Sequence, residues 1–227
     1  MAVVPLIAAF HPMGARIAAR TKQPGRSRGL SPAAGCSGIG ERFHMDGHHL
    51  ILGQLTDVIT GETLADTHDE RYRQKLARLL VEKKGYRRNE IHPRQSLAVR
   101  AGSQRAMVKI DFVVALEGRH AMIVKYGPGS IVTRHRSALA ASRLLAPYQI
   151  PVVVATNGED ADVLDGSTGR VVGRGLEALP DRKQLLGAIA AAAFELISPR
   201  RAQVESRLFY AYEVDDACPC DDTICRL

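Results

Sequence analysis

An aspartate and a lysine occupy two neighbouring predicted strands. Asp111 lies in the apolar segment 106–116, and Lys125 lies near the end of the next one, 121–126. Residues 117–120 form a turn between the two segments, which predicts that they pair as a β-hairpin. A carboxylate there can bind a hard divalent cation such as Mg²⁺ or pair with a nearby ammonium group. The sequence favours an ion pair between Asp111 and Lys125 over metal binding.

Three of the four cysteines lie close together near the end of the chain, as Cys218, Cys220 and Cys225. Thiolates at this spacing can hold Zn²⁺, but a closed structural site needs four ligands. The fourth cysteine, Cys36, lies in a segment without predicted structure. The three cysteines are therefore weak metal candidates, and a flexible tail with redox-active thiols is the favoured interpretation. No cofactor is predicted.

Basic residues are concentrated in one part of the chain. The net charge is +7, and residues 71–105 alone hold eleven basic and two acidic residues. A basic surface of this kind attracts phosphate backbones, although a solvated helix face remains the alternative. The residues predicted to contact nucleic acid are Arg71, Lys75, Arg78, Lys125, Arg134 and Arg136.

The elements around these residues indicate a mixed α/β fold. A helix runs from a cap at Thr67 or Asp69 to about Lys84, with leucines at helical spacing on one face, and Gly85 ends it. The order of elements then predicts an α/β domain with a mixed central sheet, a β-meander and a helix on each side. The predicted elements are strands 96–100, 106–116 and 121–126, a helix 134–145, strands 152–155, 161–164 and 170–172, and helices 182–197 and 199–212.

The chain divides into three predicted regions. Residues 1–44 are rich in Pro, Gly, Ser, Ala and Arg without periodicity, which predicts a disordered extension, and Met45 is the expected start of translation. Residues 45–197 form the predicted α/β domain, and 198–227 form a C-terminal helix and a cysteine-containing tail. No apolar run approaches the ~20 residues that span a bilayer, so we expect a cytoplasmic protein without membrane contact.

Four segments of the chain resemble a known family. They are DERYRQKL at 69–76, LLVEKKGY at 79–86, KIDFVV at 109–114 and VATNG at 154–158. Their order and distances are similar to those of the amino-terminal domain of type I restriction enzyme R subunits. That bacterial domain belongs to the PD-(D/E)XK nuclease superfamily, and the resemblance covers about residues 60–180. It implies a restriction-endonuclease-like fold.

The resemblance also implies a site for metal-assisted phosphodiester hydrolysis. In the family, an aspartate at the position of Asp111 and an acid on the next strand hold Mg²⁺, and a lysine two residues later positions water. Here Lys125 stands in place of the acid and Gly127 in place of the lysine. Ala140 and Leu144 stand where the following helix commonly carries Gln and Tyr. The resemblance therefore implies a degenerate site with no catalytic residues.

Three functions remain open at this point. The first is a catalytically inactive domain that binds nucleic acid, with DNA as the expected partner, or binds a partner protein. The second is an active Mg²⁺-dependent DNA endonuclease that uses Asp111 with a relocated acid such as Glu70. The third is a structural or interaction protein without a nucleic-acid role. Magnesium is expected as a cofactor only for the second.

Overall fold

The computed structural model describes residues 50–215, 217 and 223–227. The predicted extension 1–44, the expected start at Met45, and Cys218 and Cys220 lie outside these residues. The strands are β1 (Gln54–Thr56), β2 (Thr63–Ala65), β3 (Ile91–Ala101), β4 (Gln104–Leu116), β5 (Arg119–Tyr126), β6 (Val152–Thr156), β7 (Ala161–Asp165), β8 (Val171–Arg174) and β9 (Ile224–Arg226). The helices are α1 (His68–Arg78), α2 (His135–Leu144), α3 (Arg182–Ala191) and α4 (Pro199–Tyr210).

The main sheet has the strand order β3-β4-β5-β6-β7-β8, and β1 and β2 form a separate antiparallel pair. Strands β3, β4 and β5 are the antiparallel meander, and α2 carries the chain across so that β6 runs parallel to β5. The pairing of β4 with β5 ends at Phe112 and Val124, and β9 pairs with β4 further along, at Ala106–Val108. Asp111 therefore lies where β5 and β4 stop pairing.

Helix α1 begins as the sequence indicates. Thr67 caps it by accepting a hydrogen bond from the Glu70 N–H at 3.1 Å, and Asp69 and Glu70 place negative charge in the first turn. A π-helical turn, Leu79–Lys83, extends it, and Gly85 with φ +73° follows. The position of this cap determines where Glu70, Arg73 and Gln74 point, because they lie in the first two turns of α1.

The helices cover both faces of the sheet. On one side, which we call the α1 face, Leu76 of α1, Leu80 of the π-helical turn and Leu185 of α3 are fully buried. On the other side, the α4 face, Ala138 of α2 and Phe209 of α4 are fully buried against a second set of strand side chains. The sheet is therefore apolar on both faces, which explains why β5 reads as a continuous apolar run.

The predicted architecture, a mixed central sheet with a meander and flanking helices, is confirmed. Several bounds differ, and β3, for example, begins at Ile91 rather than at 96. Helix α3 ends at Ala191 instead of continuing to 197, because the backbone of Glu195 and Ile197 hydrogen-bonds to the loop at 147–149. Helix α4 and β9 lie beyond the boundary predicted at 197, yet they pack in the same core and sheet. None of the described helices is long and apolar enough to cross a membrane.

Candidate functional site

Asp111 lies at the opening between β4 and β5, and both of its carboxylate oxygens are engaged. Oδ2 accepts a hydrogen bond from the backbone N–H of Tyr126 at 2.9 Å, where a ladder bond would otherwise form. Oδ1 accepts from Nε of Arg73 on α1 at 2.7 Å. The Asp111 side chain is only 6% exposed. This carboxylate thus has a fixed cationic partner on the α1 face.

Arg73 also contacts a second carboxylate, one helical turn away. Its Nη1 lies 3.5 Å from Oε2 of Glu70, while Oε1 of Glu70 accepts from Nε2 of Gln74 at 2.8 Å. Burial alone would lower the pKa of Arg73, but the carboxylates of Asp111 and Glu70 outweigh it and raise that pKa. Arg73 is therefore a permanent positive charge between two acids.

A third buried acid and a second arginine extend this arrangement. Nη1 of Arg94 donates to Oδ2 of Asp57 at 2.6 Å and lies 4.0 Å from Oε1 of Glu70. Oδ1 of Asp57 accepts the backbone N–H groups of Ile59 and Thr60. We call the resulting set the buried charge cluster. Its members are Asp57, Glu70, Arg73, Gln74, Arg94 and Asp111.

The buried charge cluster leaves little room for a hydrated metal ion. The cavity beside Arg73, Arg94 and Asp111 has a volume of about 30 Å³, which suits a single water molecule. Mg²⁺ requires near-octahedral oxygen ligands and usually keeps several waters. Across residues 50–215 and the described tail positions, no three His, Cys, Asp or Glu side chains are grouped to hold a metal ion. The two guanidinium groups stand where a cation would have to be.

The acid stability of the protein should depend on Asp57. Burial raises its pKa, but the hydrogen bonds from Thr60, Arg94 and Ile59 outweigh burial and hold the pKa below its usual value of 3.8. A lowered carboxyl pKa stabilises the fold above the unfolded-state pKa, and this contribution disappears as the pH falls through the folded-state value.

We therefore expect Asp57→Asn to reduce the free energy of unfolding by about 1.5–3 kcal/mol at pH 7, the contribution of a hydrogen bond to a charged group. The difference from wild type should shrink steadily as the pH is lowered below about 4. Urea unfolding at pH 7, 5, 4 and 3 measures this. A difference that stays constant across that series would contradict the assignment.

The structure corrects the predicted partner of Asp111. Nζ of Lys125 lies on the α4 face, 2.7 Å from Oε2 of Glu213 and 5.8 Å from the centre of the Phe209 ring. Successive side chains of a strand point to opposite faces, and the next residue, Tyr126, points to the α1 face, where Arg73 lies over its ring at 5.4 Å. The predicted Asp111–Lys125 ion pair is therefore wrong. Lys125 is also 5% exposed, so it cannot serve as a nucleic-acid contact.

The space beside Gly127 is filled by an arginine. A Cβ atom at this position would lie 2.9 Å from Nε of Arg134, so a side chain here would require Arg134 to move. Arg134 is half-buried and its Nη2 lies 3.4 Å from the carbonyl oxygen of Pro128. The position where the resemblance implies a lysine is thus occupied by the Arg134 side chain, and Ala140 and Leu144 pack in the core of the α4 face.

The other residues predicted to contact nucleic acid do not form one surface. Arg71, Lys75 and Arg78 are exposed on α1, but Arg71 is held by both oxygens of Asp66 at 2.6 and 2.8 Å. Arg136 lies on α2, which packs on the opposite face of the sheet, so the predicted set is split in two.

One of the three predicted metal candidates, Cys225, lies in the part of the tail that the structure describes. Cys225 is disulfide-bonded, a state that offers no thiolate to a metal. The sequence interpretation also missed Asp57, Arg73 and Arg94. The helical spacing of Glu70, Arg73 and Gln74 indicates a shared face, but no local pattern brings Arg94 or Asp57 to it.

Comparison with known families gives one result. Residues 68–180 match the family described as type I restriction enzyme R protein N terminus (HSDR_N). No curated protein matches the chain, and no solved structure matches it. The matched segment begins at the first residue of α1 and ends just before α3, so it includes Glu70, Arg73 and Asp111 but not α4.

Proposed function

Because residues 68–180 belong to the family of type I restriction enzyme R protein N termini, we propose that the chain is a nuclease-like domain that binds nucleic acid without cutting it. The observation that carries this proposal is the position of Arg73 between Asp111 and Glu70. A guanidinium group there neutralises the carboxylates that a metal-dependent nuclease would use.

The loss of catalysis follows from the charges around Asp111. Metal-assisted hydrolysis needs a divalent ion that offsets charge developing on the phosphate and supplies hydroxide. Here the ion would have to displace Arg73 from a 2.7 Å hydrogen bond, and Lys125, at the position where the resemblance implies the second acid, faces the other side of the sheet. With Arg73 in place, the second acid is missing from β5 and a cation already occupies the position between Asp111 and Glu70.

Nucleic-acid binding is supported by the family and by the charge of the chain. Type I restriction enzymes act on DNA, and this chain carries a net charge of +7 with many arginines on the surface. Phosphate contacts of this kind release counterions, so the affinity falls steeply with salt. Three such contacts correspond to a loss of about 40-fold between 50 and 200 mM salt.

One observation favours an active nuclease as the second candidate. Glu70 and Asp111 both contact Arg73, so the two carboxylates converge on one position as the relocated-acid hypothesis requires. If Arg73 moved away, a divalent cation could bridge them. This candidate shares the fold and the binding partner with the first and differs only in cleavage.

Two assays test the proposal together. Binding of a labelled DNA duplex is measured at 50 and 200 mM salt, and nicking of supercoiled plasmid is measured with Mg²⁺ and with Mn²⁺, with Asp111→Asn as the matched control. We expect salt-dependent binding and no nicking by either protein. Nicking by wild type but not by Asp111→Asn would establish the second candidate. Absence of binding even at 50 mM salt would favour a partner-protein or structural role.

A further inference from the structure

Two adjoining grooves run along α4 on the side away from the buried charge cluster. Their volumes are about 680 and 560 Å³, and Arg200, near the start of the helix, lines both. We call them together the α4 groove. Its basic lining consists of Arg100, Arg136, Arg143, Arg200, Arg201 and Arg207.

The acidic residues of the α4 groove leave its outer cations unneutralised. Glu205 is fully buried and pairs with Arg143 at 2.9 Å and with Arg201 at 2.7 Å, so these two arginines share its negative charge. Glu195 is the second carboxylate in the lining. Arg100, Arg200 and Arg207 are exposed, and within the described part of the chain none of them forms an ion pair.

The exposed arginines come from two elements, α4 and β3. Arg200 and Arg207 are seven residues apart, so they lie on the same side of α4 and about 10 Å from each other along its axis. Arg100 joins them from the end of β3, where its backbone N–H donates to Oγ of Ser206 at 2.7 Å. Guanidinium groups pair well with phosphate oxygens, so each of these three arginines can contact a phosphate of a polynucleotide.

We propose that the α4 groove binds the phosphodiester backbone of double-stranded nucleic acid. The proposal rests on the proposed function and places the contact along α4, which lies outside the segment 68–180 that matches the family. Arg100 of β3 contributes from within that segment, and the site lies away from the cations of α1. Proteins that bind single strands stack bases on aromatic side chains. The lining described for the α4 groove contains no aromatic ring; its apolar members are aliphatic, as with Leu196 and Val204. A duplex, whose outer surface is phosphate, is the occupant that fits.

The test compares two variants with the same change in charge. Arg100→Gln/Arg200→Gln/Arg207→Gln removes three exposed cations of the α4 groove. Lys75→Gln/Arg78→Gln/Lys83→Gln removes three exposed cations of α1 and the turn after it. The measured quantities are the Kd for a DNA duplex and for a single strand of the same sequence, between 50 and 200 mM salt. Melting temperatures confirm that both variants fold.

We expect the α4 variant to bind the duplex at least tenfold more weakly at 100 mM salt, with a salt slope less steep by about 2.7, the value for three lost phosphate contacts. The α1 variant should stay close to wild type. An α1 variant that loses affinity while the α4 variant does not would overturn this inference and leave the proposed function standing. Stronger binding of the single strand than of the duplex would also overturn it. A wild-type protein that binds neither would overturn both proposals.

Discussion

Replacing Arg73 by alanine is expected to lower the free energy of unfolding by about 3–5 kcal/mol at pH 7, as is typical when one partner of a buried ion pair is removed. Asp111 is 6% exposed and loses its cationic partner at 2.7 Å, while Glu70 loses its contact at 3.5 Å. Two buried carboxylates then remain close together without the guanidinium group between them. Urea unfolding followed by circular dichroism measures the change.

Arg71→Ala is the matched control for Arg73→Ala. Arg71 lies two residues earlier on the same helix and also pairs with an aspartate, Asp66, but its side chain is 53% exposed. An exposed pair contributes little, so this variant should unfold close to wild type. Adding Asp111→Asn to Arg73→Ala should recover part of the lost stability because the unpaired charge is removed. Equal effects of Arg71→Ala and Arg73→Ala would contradict the role given to the buried charge cluster.

Divalent cations provide a second readout of the same position. If Arg73 stands where a metal would bind, its removal leaves Glu70 and Asp111 as oxygen ligands for one cation. Millimolar Mn²⁺ should then raise the melting temperature of Arg73→Ala and leave wild type and Arg71→Ala unchanged. A metal that stabilises wild type equally would show that the guanidinium group does not exclude it.

The order of elements could be predicted from the sequence because each signal is local. Thr67 and the acids after it mark the start of α1, the turn at 117–120 marks a hairpin, and the leucines of α1 mark its buried side. The family resemblance depends on the same local segments. Such signals show which helix or strand a residue belongs to, so the order of elements could be predicted from them.

The face on which Lys125 lies could not be predicted. A strand that is half exposed alternates between apolar and polar residues, but β5 is buried on both sides and shows no alternation. In addition, β4 changes faces near Asp111: Ile110 packs on the α4 face, whereas Phe112 packs on the α1 face. Counting residues across the hairpin therefore placed Asp111 and Lys125 together when they lie on opposite sides.

The α4 groove escaped prediction for a different reason. Residues 151–227 carry more acidic than basic residues, so a sum along the chain hides a cluster of arginines on α4. Arg100 and Arg136 come from segments far away in sequence, and only the packing of α4 against β3 and α2 brings them beside Arg200. The charge of a surface depends on which residues the fold brings together, and the composition of a segment does not contain that information.

The structure and the sequence interpretation predict opposite effects for Lys125→Glu. If Lys125 lay beside Asp111, this change would restore the acid that the family resemblance expects and create a metal site. In the structure, the new carboxylate would instead meet Glu213, whose side chain is 9% exposed and 2.7 Å from Nζ of Lys125. Two buried like charges should destabilise the fold by at least about 3–5 kcal/mol, because the ion pair is lost and a repulsion is added.

The charge exchange Lys125→Glu/Glu213→Lys should restore much of that stability, since it rebuilds the ion pair with its polarity reversed. Lys75→Glu, on the exposed side of α1, is the control for the same substitution without burial and should have a small effect. Melting temperatures with and without Mg²⁺ measure all three. We expect the highest melting temperature for wild type, a lower one for the exchange variant and the lowest for Lys125→Glu. Mg²⁺ should change none of them. A Lys125→Glu protein that stays folded and gains stability from Mg²⁺ would place Lys125 beside Asp111 after all, and with it the possibility of a repaired nuclease site.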